Sequence, residues 1–237
     1  MPQRKREQSY TEQSRDLLNS LVLVLPLLAV YEAVLFASGT SLRNKFDFLS
    51  SIIAQMGEYG LVIFNTALMI VGGAAIAVLG RRKRLHPAVL LPMAGESLAY
   101  AAVLGSVVMF LLTFARDLLQ TTAGGTDTAL SVGLALGAGV YEEFAFRLVL
   151  LGLSFQFLYR VVKWPAAPAL ITAMLFSSVL FSLSHFDKPG LADFELNAFM
   201  FRFAAGVLLS LILYFRGFGI AVYTHALYNV LLIVGPE

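Results

Sequence analysis

The sequence predicts an all-α protein, a polytopic integral membrane bundle of about seven transmembrane helices, within a range of six to eight. Hydrophobic residues make up 58% of the 237 residues and charged residues only 14%, whereas about a quarter of a soluble domain is charged. The apolar residues also fall in long runs rather than in amphipathic stripes. The sequence contains no cysteine and has a net charge of +2, so it offers no thiolate nucleophile, and we expect no binding to nucleic acid.

The apolar runs are separated by basic or turn-forming segments. Residues 1–16 are polar and basic, and residues 81–84 form the densest basic cluster. Residues 124–127 are a predicted turn, and residues 187–190 contain the proline and glycine that terminate a helix. The predicted membrane spans are residues 17–38, 59–79, 88–115, 129–158, 166–186, 196–215 and 218–234.

The basic segments also predict an orientation. With seven spans, the basic stretches near residues 1–16, 81–84, 160–163 and 216 all fall on one side of the membrane. Short loops rich in lysine and arginine stay in the cytoplasm, so we expect a multi-pass protein with a cytoplasmic N-terminus. The compact chain with its basic N-terminus is typical of a bacterial protein, so we expect a bacterial inner membrane. The chain then divides into a cytoplasmic segment (1–16), N-terminal transmembrane helices (17–128) and a C-terminal transmembrane core (129–237).

Three short motifs in that core carry the polar chemistry. They run from Glu142 to Arg147, from Phe181 to His185 and from His225 to Asn229, each in a stretch apolar enough to cross a bilayer. Ionisable side chains are costly in hydrocarbon, so their presence there indicates function. A buried glutamate with two histidines is suited to activating water and stabilising an oxyanion.

The first motif predicts one paired and one free carboxylate. Residues four apart share a helix face, so Glu143 can form an ion pair with Arg147 while Glu142 points elsewhere and stays available as a general base or acid. The alternative is that both acids only balance buried cations between helices. Gly133 and Gly137, four residues apart, predict close packing of this helix against a neighbour.

The second and third motifs supply the other groups. An imidazole at His185 next to a free carboxylate could help to polarise a water molecule, and Phe181 lies one turn before it. His225 and Asn229 also lie one turn apart, where two aligned donors can form an oxyanion hole. Hydrogen bonding between helices is the alternative for that pair.

Arg202 lies inside the sixth predicted span. A buried arginine needs an acidic partner, a carbonyl or a ligand carboxylate. Glu142, Glu143 or the C-terminus of a substrate could serve, which makes Arg202 a candidate substrate-binding residue. The alternative is a side chain that extends to the edge of the bilayer.

The ordered set Glu-Glu-x-x-x-Arg, Phe-x-x-x-His and His-x-x-x-Asn resembles the CPBP family of intramembrane glutamic endopeptidases, the CAAX-type or ABI proteases. The resemblance covers about residues 129–234, and residues 203–206 look like a minor motif of that family. It implies an intramembrane endopeptidase that cleaves membrane-embedded or lipid-attached proteins or peptides, without a metal or cofactor. By motif position, it implies that water is activated by Glu142 and His185, that the oxyanion is held by His225 and Asn229, and that the site is supported by Glu143 and Arg147.

Two other functions stay open at this point. A zinc-dependent protease could use Glu142, His185 and His225 as ligands, although the sequence lacks the His-Glu-x-x-His helix that usually supplies them. A non-enzymatic membrane immunity or scaffold protein could use the polar cluster to bind a partner. The family resemblance does not choose among prenylated proteins, maturing peptides and C-terminal sorting tails as substrates.

One geometric problem arises from the predicted spans. A straight helix that begins near residue 129 places Glu142 deep in the membrane, whereas His185 lies near the outer end of its span. We therefore expect that the glycines between 133 and 139 break the fourth helix, or that the span limits shift by one or two turns.

Overall fold

This computed structural model describes residues 9–38, 86–112, 128–186 and 194–234, together with a few helical residues between 70 and 81. Every regular element in these ranges is a helix. A short 3₁₀ turn, Pro87–Val89, precedes the third helix. The helices are α1 (Tyr10–Ser14), α2 (Leu17–Ser38), α3 (Leu90–Leu112), α4 (Thr128–Val161), α5 (Ala166–Leu183), α6 (Leu196–Arg216) and α7 (Phe218–Val234).

Six of the seven predicted spans coincide with these helices. Five helical segments in the described ranges are long and apolar enough to cross a membrane, and α7 is an apolar helix of 17 residues. The prediction of an all-α polytopic membrane bundle is therefore confirmed. The predicted span 59–79 and the predicted turns at 124–127 and 187–190 lie outside the described ranges.

Helix α7 lies at the centre of the bundle. Apart from Thr224, His225 and Asn229, its residues are apolar or aromatic, as expected for a helix that is surrounded by others. It packs against α2, α3, α4 and α6. The third motif is thus placed on a helix with four neighbouring helices, and its side chains can meet residues from several parts of the sequence.

Glycines allow α4 to approach two neighbouring helices. A Cβ atom on Gly137 would lie 2.4 Å from the ring of Tyr31, and one on Gly133 would lie 2.6 Å from Val34. Because the later glycine of α4 contacts the earlier residue of α2, the two helices run antiparallel. The close packing that the glycine spacing predicted is confirmed, and this face of α4 lies against α2.

Gly139 allows α4 to approach α7 just as closely. A Cβ atom there would lie 2.6 Å from the Ala226 side chain and 2.7 Å from its backbone nitrogen. We expect Gly139→Ala to push α7 away from α4, to cost about 1–3 kcal/mol of stability and to displace His225. Thermal unfolding in detergent measures this change. Gly152→Ala on the same helix is the control, because a Cβ atom there meets nothing within 4 Å. Equal unfolding temperatures for both variants would contradict the prediction.

The fourth helix is not broken at its glycines, so that expectation is wrong. Helix α4 runs for 34 residues, about 50 Å at an α-helical rise, and is π-helical over Phe144–Leu151 and Phe157–Val161. It ends in a turn where Lys163 has a φ of 64°, and α5 returns antiparallel to it. Glu142 and His185 are almost equally distant in sequence from this turn, so they reach the same level of the hairpin.

The basic end of the bundle is closed by a polar cluster. Arg216, at the end of α6, forms a bidentate ion pair with Glu96 of α3, and the Tyr10 hydroxyl donates to the same carboxylate at 2.7 Å. Burial, together with this hydrogen bond, raises the pKa of Tyr10 to about 12. The backbone of Arg15 also packs against Gly217. The N-terminal helix and the end of α6 therefore lie on the same side of the bundle, as the basic segments predicted.

Candidate active site

A buried network joins the first and third motifs. The Glu143 Oε1 atom lies 3.1 Å from Nη1 of Arg147 and 2.7 Å from Nδ1 of His225. Glu143 and Arg147 are at most 1% exposed. The ion pair expected from the four-residue spacing is present. The contact between Glu143 and His225 was not predicted, and it makes Glu143 the group that orients the imidazole.

Glu142 lies between the two histidines. Its Oε2 atom is 3.8 Å from Nε2 of His185 and 3.8 Å from Nε2 of His225. These separations are too long for direct hydrogen bonds. A water molecule can bridge the carboxylate oxygen to either Nε2 atom at about 3 Å. The structure therefore brings Glu142 within reach of both imidazoles, at separations that a bridging water molecule can span.

In each imidazole, the hydrogen bond made by Nδ1 determines whether Nε2 can accept or donate a hydrogen bond. Nδ1 of His185 lies 2.8 Å from the carbonyl oxygen of Phe181, and Nδ1 of His225 lies 2.7 Å from the carboxylate of Glu143. Because both partners only accept hydrogen bonds, each Nδ1 carries the proton. A neutral ring then accepts at Nε2, and a protonated ring donates there. Both Nε2 atoms are directed towards Glu142.

The site is accessible from one side. The side chain of His185 is 30% exposed, whereas those of Glu142 and His225 are 9% and 6% exposed. His185 lies in the turn just after α5, so it borders the entrance while the carboxylate lies deeper. His185 is therefore the member of this group that is most exposed at the surface, and Glu142 and His225 are shielded.

Asn229 and Arg202 are less closely connected to this centre. Asn229 lies one turn after His225 on α7 and is partly buried, and its side chain forms no hydrogen bond within the described parts of the chain. The guanidinium of Arg202 lies over the Phe186 ring, 5.3 Å from its centroid, and also interacts electrostatically with His185. Glu142 and Glu143, the acidic partners suggested for Arg202 from sequence, contact the two histidines and Arg147.

Sequence reasoning missed the importance of two residues near the ion pair. The Phe181 ring lies 4.2 Å below the Arg147 guanidinium and packs edge-on against both histidine rings. The Gly206 carbonyl accepts from Nη2 of Arg147 at 3.5 Å. Both residues fall within the motifs quoted above, so the signal was present, but sequence could not show what they contact. The π-helical stretch that follows Glu143 is a further feature often found at functional sites.

The zinc alternative requires three or four side chains arranged around one ion. No group of three or more His, Cys, Asp or Glu side chains within the described ranges is arranged to hold a metal ion.

Comparison with known proteins gives the same result as the motifs. Residues 124–231 match the family model described as type II CAAX prenyl endopeptidase Rce1-like. This part of the chain is similar to the Rce1-like family. The matched range includes Glu142, His185, His225 and Asn229. No match to the chain was found among curated proteins or among solved structures.

The match to the Rce1-like family model confirms the resemblance drawn from the three motifs. The long apolar helices agree with this assignment. The protein is thus a multi-pass integral membrane protein with an Rce1-like domain, and the family is one of membrane endopeptidases. The predicted domain limits and the predicted role of each site residue stay predictions.

Proposed function

We propose that this protein is a glutamic-type intramembrane endopeptidase in which Glu142 activates the attacking water. The observation that carries the proposal is the position of the Glu142 Oε2 atom, 3.8 Å from the Nε2 atoms of both His185 and His225. A water molecule bound there lies against a carboxylate that can take its proton. The Rce1-like match supports peptide hydrolysis as the reaction.

In the proposed reaction, the water oxygen attacks the carbonyl carbon of the scissile peptide bond while its proton moves to Glu142. A neutral His185 holds the same water through its Nε2 lone pair. The oxyanion that forms is stabilised by the Nε2–H of a protonated His225 and by the side-chain amide of Asn229. The C–N bond then breaks, and the proton on Glu142 passes to the leaving amine.

We further propose that Glu143 and Arg147 support the site and that Arg202 contacts the substrate. Glu143 accepts the Nδ1 proton of His225, so it fixes the ring with Nε2 towards the reacting carbon. Arg202 lies beside the more exposed histidine, where it meets a peptide that enters. The proposed substrate is a membrane-embedded or lipid-attached protein or peptide.

The proposed location is a bacterial inner membrane with the N-terminus in the cytoplasm. Helix α1 with Arg15, the end of α4 with Arg160 and the end of α6 with Arg216 share one side of the bundle, and basic residues favour the cytoplasmic side. Accessibility labelling of single cysteines introduced into this chain, which has none, tests the orientation.

The experiment for the function uses purified protein in liposomes with two fluorogenic peptides. One ends in a farnesylated CAAX sequence, and the other has the same sequence without the lipid. We expect cleavage of the lipidated peptide. Cleavage of neither peptide by protein that unfolds cooperatively would favour the non-enzymatic alternative.

Metal removal separates the glutamic mechanism from the zinc alternative. We expect the cleavage rate to be unchanged after incubation with EDTA or 1,10-phenanthroline, because the proposed reaction uses only a carboxylate and imidazoles. The cleavage rate is measured without chelator, with chelator, and after Zn²⁺ is added back. A rate that falls with chelator and returns on addition of Zn²⁺ would instead assign Glu142, His185 and His225 to a metal.

A further inference from the structure

The aromatic ring of Phe181 contacts three ionisable side chains of the site, those of Arg147, His185 and His225. Phe181 is 4% exposed. The guanidinium carbon of Arg147 lies over its face, 4.2 Å from the ring centroid. The ring of His185 lies edge-on at 5.0 Å and that of His225 at 5.8 Å, with interplanar angles of 74° and 80°.

The contact with Arg147 compensates for missing hydrogen bonds. Within the described ranges, Nε and Nη1 of Arg147 are buried and make no well-aligned hydrogen bond, although Nη1 lies 3.1 Å from Oε1 of Glu143. Nη2 reaches the Gly206 carbonyl only at 3.5 Å. A buried guanidinium needs such compensation. The electron-rich face of an aromatic ring attracts a cation more strongly when water is excluded.

Two further contacts connect Phe181 to the reacting groups. Its backbone carbonyl accepts the Nδ1 proton of His185 at 2.8 Å, so Nε2 is left directed at Glu142. A Cβ atom on Gly206 would lie 3.2 Å from Cδ1 of Phe181. The small residue on α6 therefore provides the space in which the ring sits below Arg147.

We propose that Phe181 is a positioning residue whose π face holds Arg147, and that the held Arg147 in turn fixes Glu143 and His225 for catalysis. The chain of contacts is continuous, from the ring face to the guanidinium, to the carboxylate Oε1 at 3.1 Å, and to Nδ1 of His225 at 2.7 Å. This inference rests on the proposed function above. It assigns to Phe181 an electrostatic role that a residue of equal volume without a π system cannot fulfil.

The test replaces Phe181 with phenylalanines carrying one, two and three fluorine atoms, incorporated by nonsense suppression. Fluorine withdraws electron density from the ring face and weakens the cation–π contact with little change in volume. We expect log kcat to fall stepwise with each fluorine, by about tenfold in total, while KM stays constant. Cyclohexylalanine at the same position should lower kcat at least as far as trifluorophenylalanine does.

The same series at Phe218 is the matched control. Phe218 is 5% exposed in the apolar core at the start of α7, and in the described structure no cation lies over its ring. We expect a constant kcat there. A constant kcat across the Phe181 series, or an equal decline at both positions, would overturn the proposal. The unsubstituted enzyme and its Glu142→Gln variant are assayed in parallel. Activity that persists in Glu142→Gln would contradict the glutamic mechanism itself, whatever the Phe181 series shows.

Discussion

Replacement of Glu142 by glutamine is expected to lower kcat by about 10³-fold and to leave KM nearly unchanged. The amide has almost the volume of the carboxylate but cannot take a proton from water. The change leaves the ion pair between Glu143 and Arg147 intact, so the protein should still fold. Cleavage of the farnesylated peptide in liposomes measures kcat and KM, and thermal unfolding verifies that the variant is folded.

Glu195→Gln is the matched control for this experiment. Glu195 is exposed at the start of α6 and forms no side-chain cap there, so its neutralisation should leave kcat unchanged. If Glu142→Gln retains more than about a tenth of the activity, Glu142 is not the general base. The non-enzymatic alternative would gain support if the variant also kept full biological activity.

Removal of Arg147 is expected to produce the largest loss of stability. Arg147→Met keeps much of the volume of the side chain but leaves Glu143, which is fully buried, without its cation. Breaking a buried ion pair in this way costs about 3–5 kcal/mol. Unfolding in detergent followed by circular dichroism measures the free energy. Arg160→Met, at an exposed position on the same helix, should change the free energy of unfolding by less than about 0.5 kcal/mol.

The double variant Glu143→Gln with Arg147→Met separates the buried charge from lost packing. It removes both charges, so we expect it to recover most of the stability that Arg147→Met loses. It should not recover activity, because the His225 ring loses the carboxylate that orients it. A double variant that is less stable than Arg147→Met alone would contradict the view that an uncompensated carboxylate causes the loss.

The sequence predicted the contacts that depend on local geometry. The four-residue spacing predicted the ion pair between Glu143 and Arg147 and the contact between Phe181 and His185. The alternation of apolar runs with basic and proline-containing segments placed six helices within a few residues of their observed limits. These features need only the period of a helix and the thickness of a bilayer.

The contacts between distant residues could not be predicted in the same way. The hydrogen bond from His225 to Glu143 exists because Gly139 allows α7 to approach α4 at Ala226. Sequence shows the small residues but not which helix they face. The level of Glu142 was also wrongly interpreted, because Glu142 and His185 were placed from the limits of two separate spans and not from the turn that joins them. Helix α4 runs for 34 residues, and the hairpin with α5 determines what lies beside Glu142.

A double-mutant cycle between Glu142 and His185 tests the central claim most directly. If both side chains act on the same water molecule, the variant with Glu142→Gln and His185→Ala should have nearly the same residual kcat as Glu142→Gln alone, because groups that act as a unit are not additive. If the fold-loss of kcat in the double variant equals the product of the losses in the two single variants, the residues act independently. That result would contradict a shared water at this site.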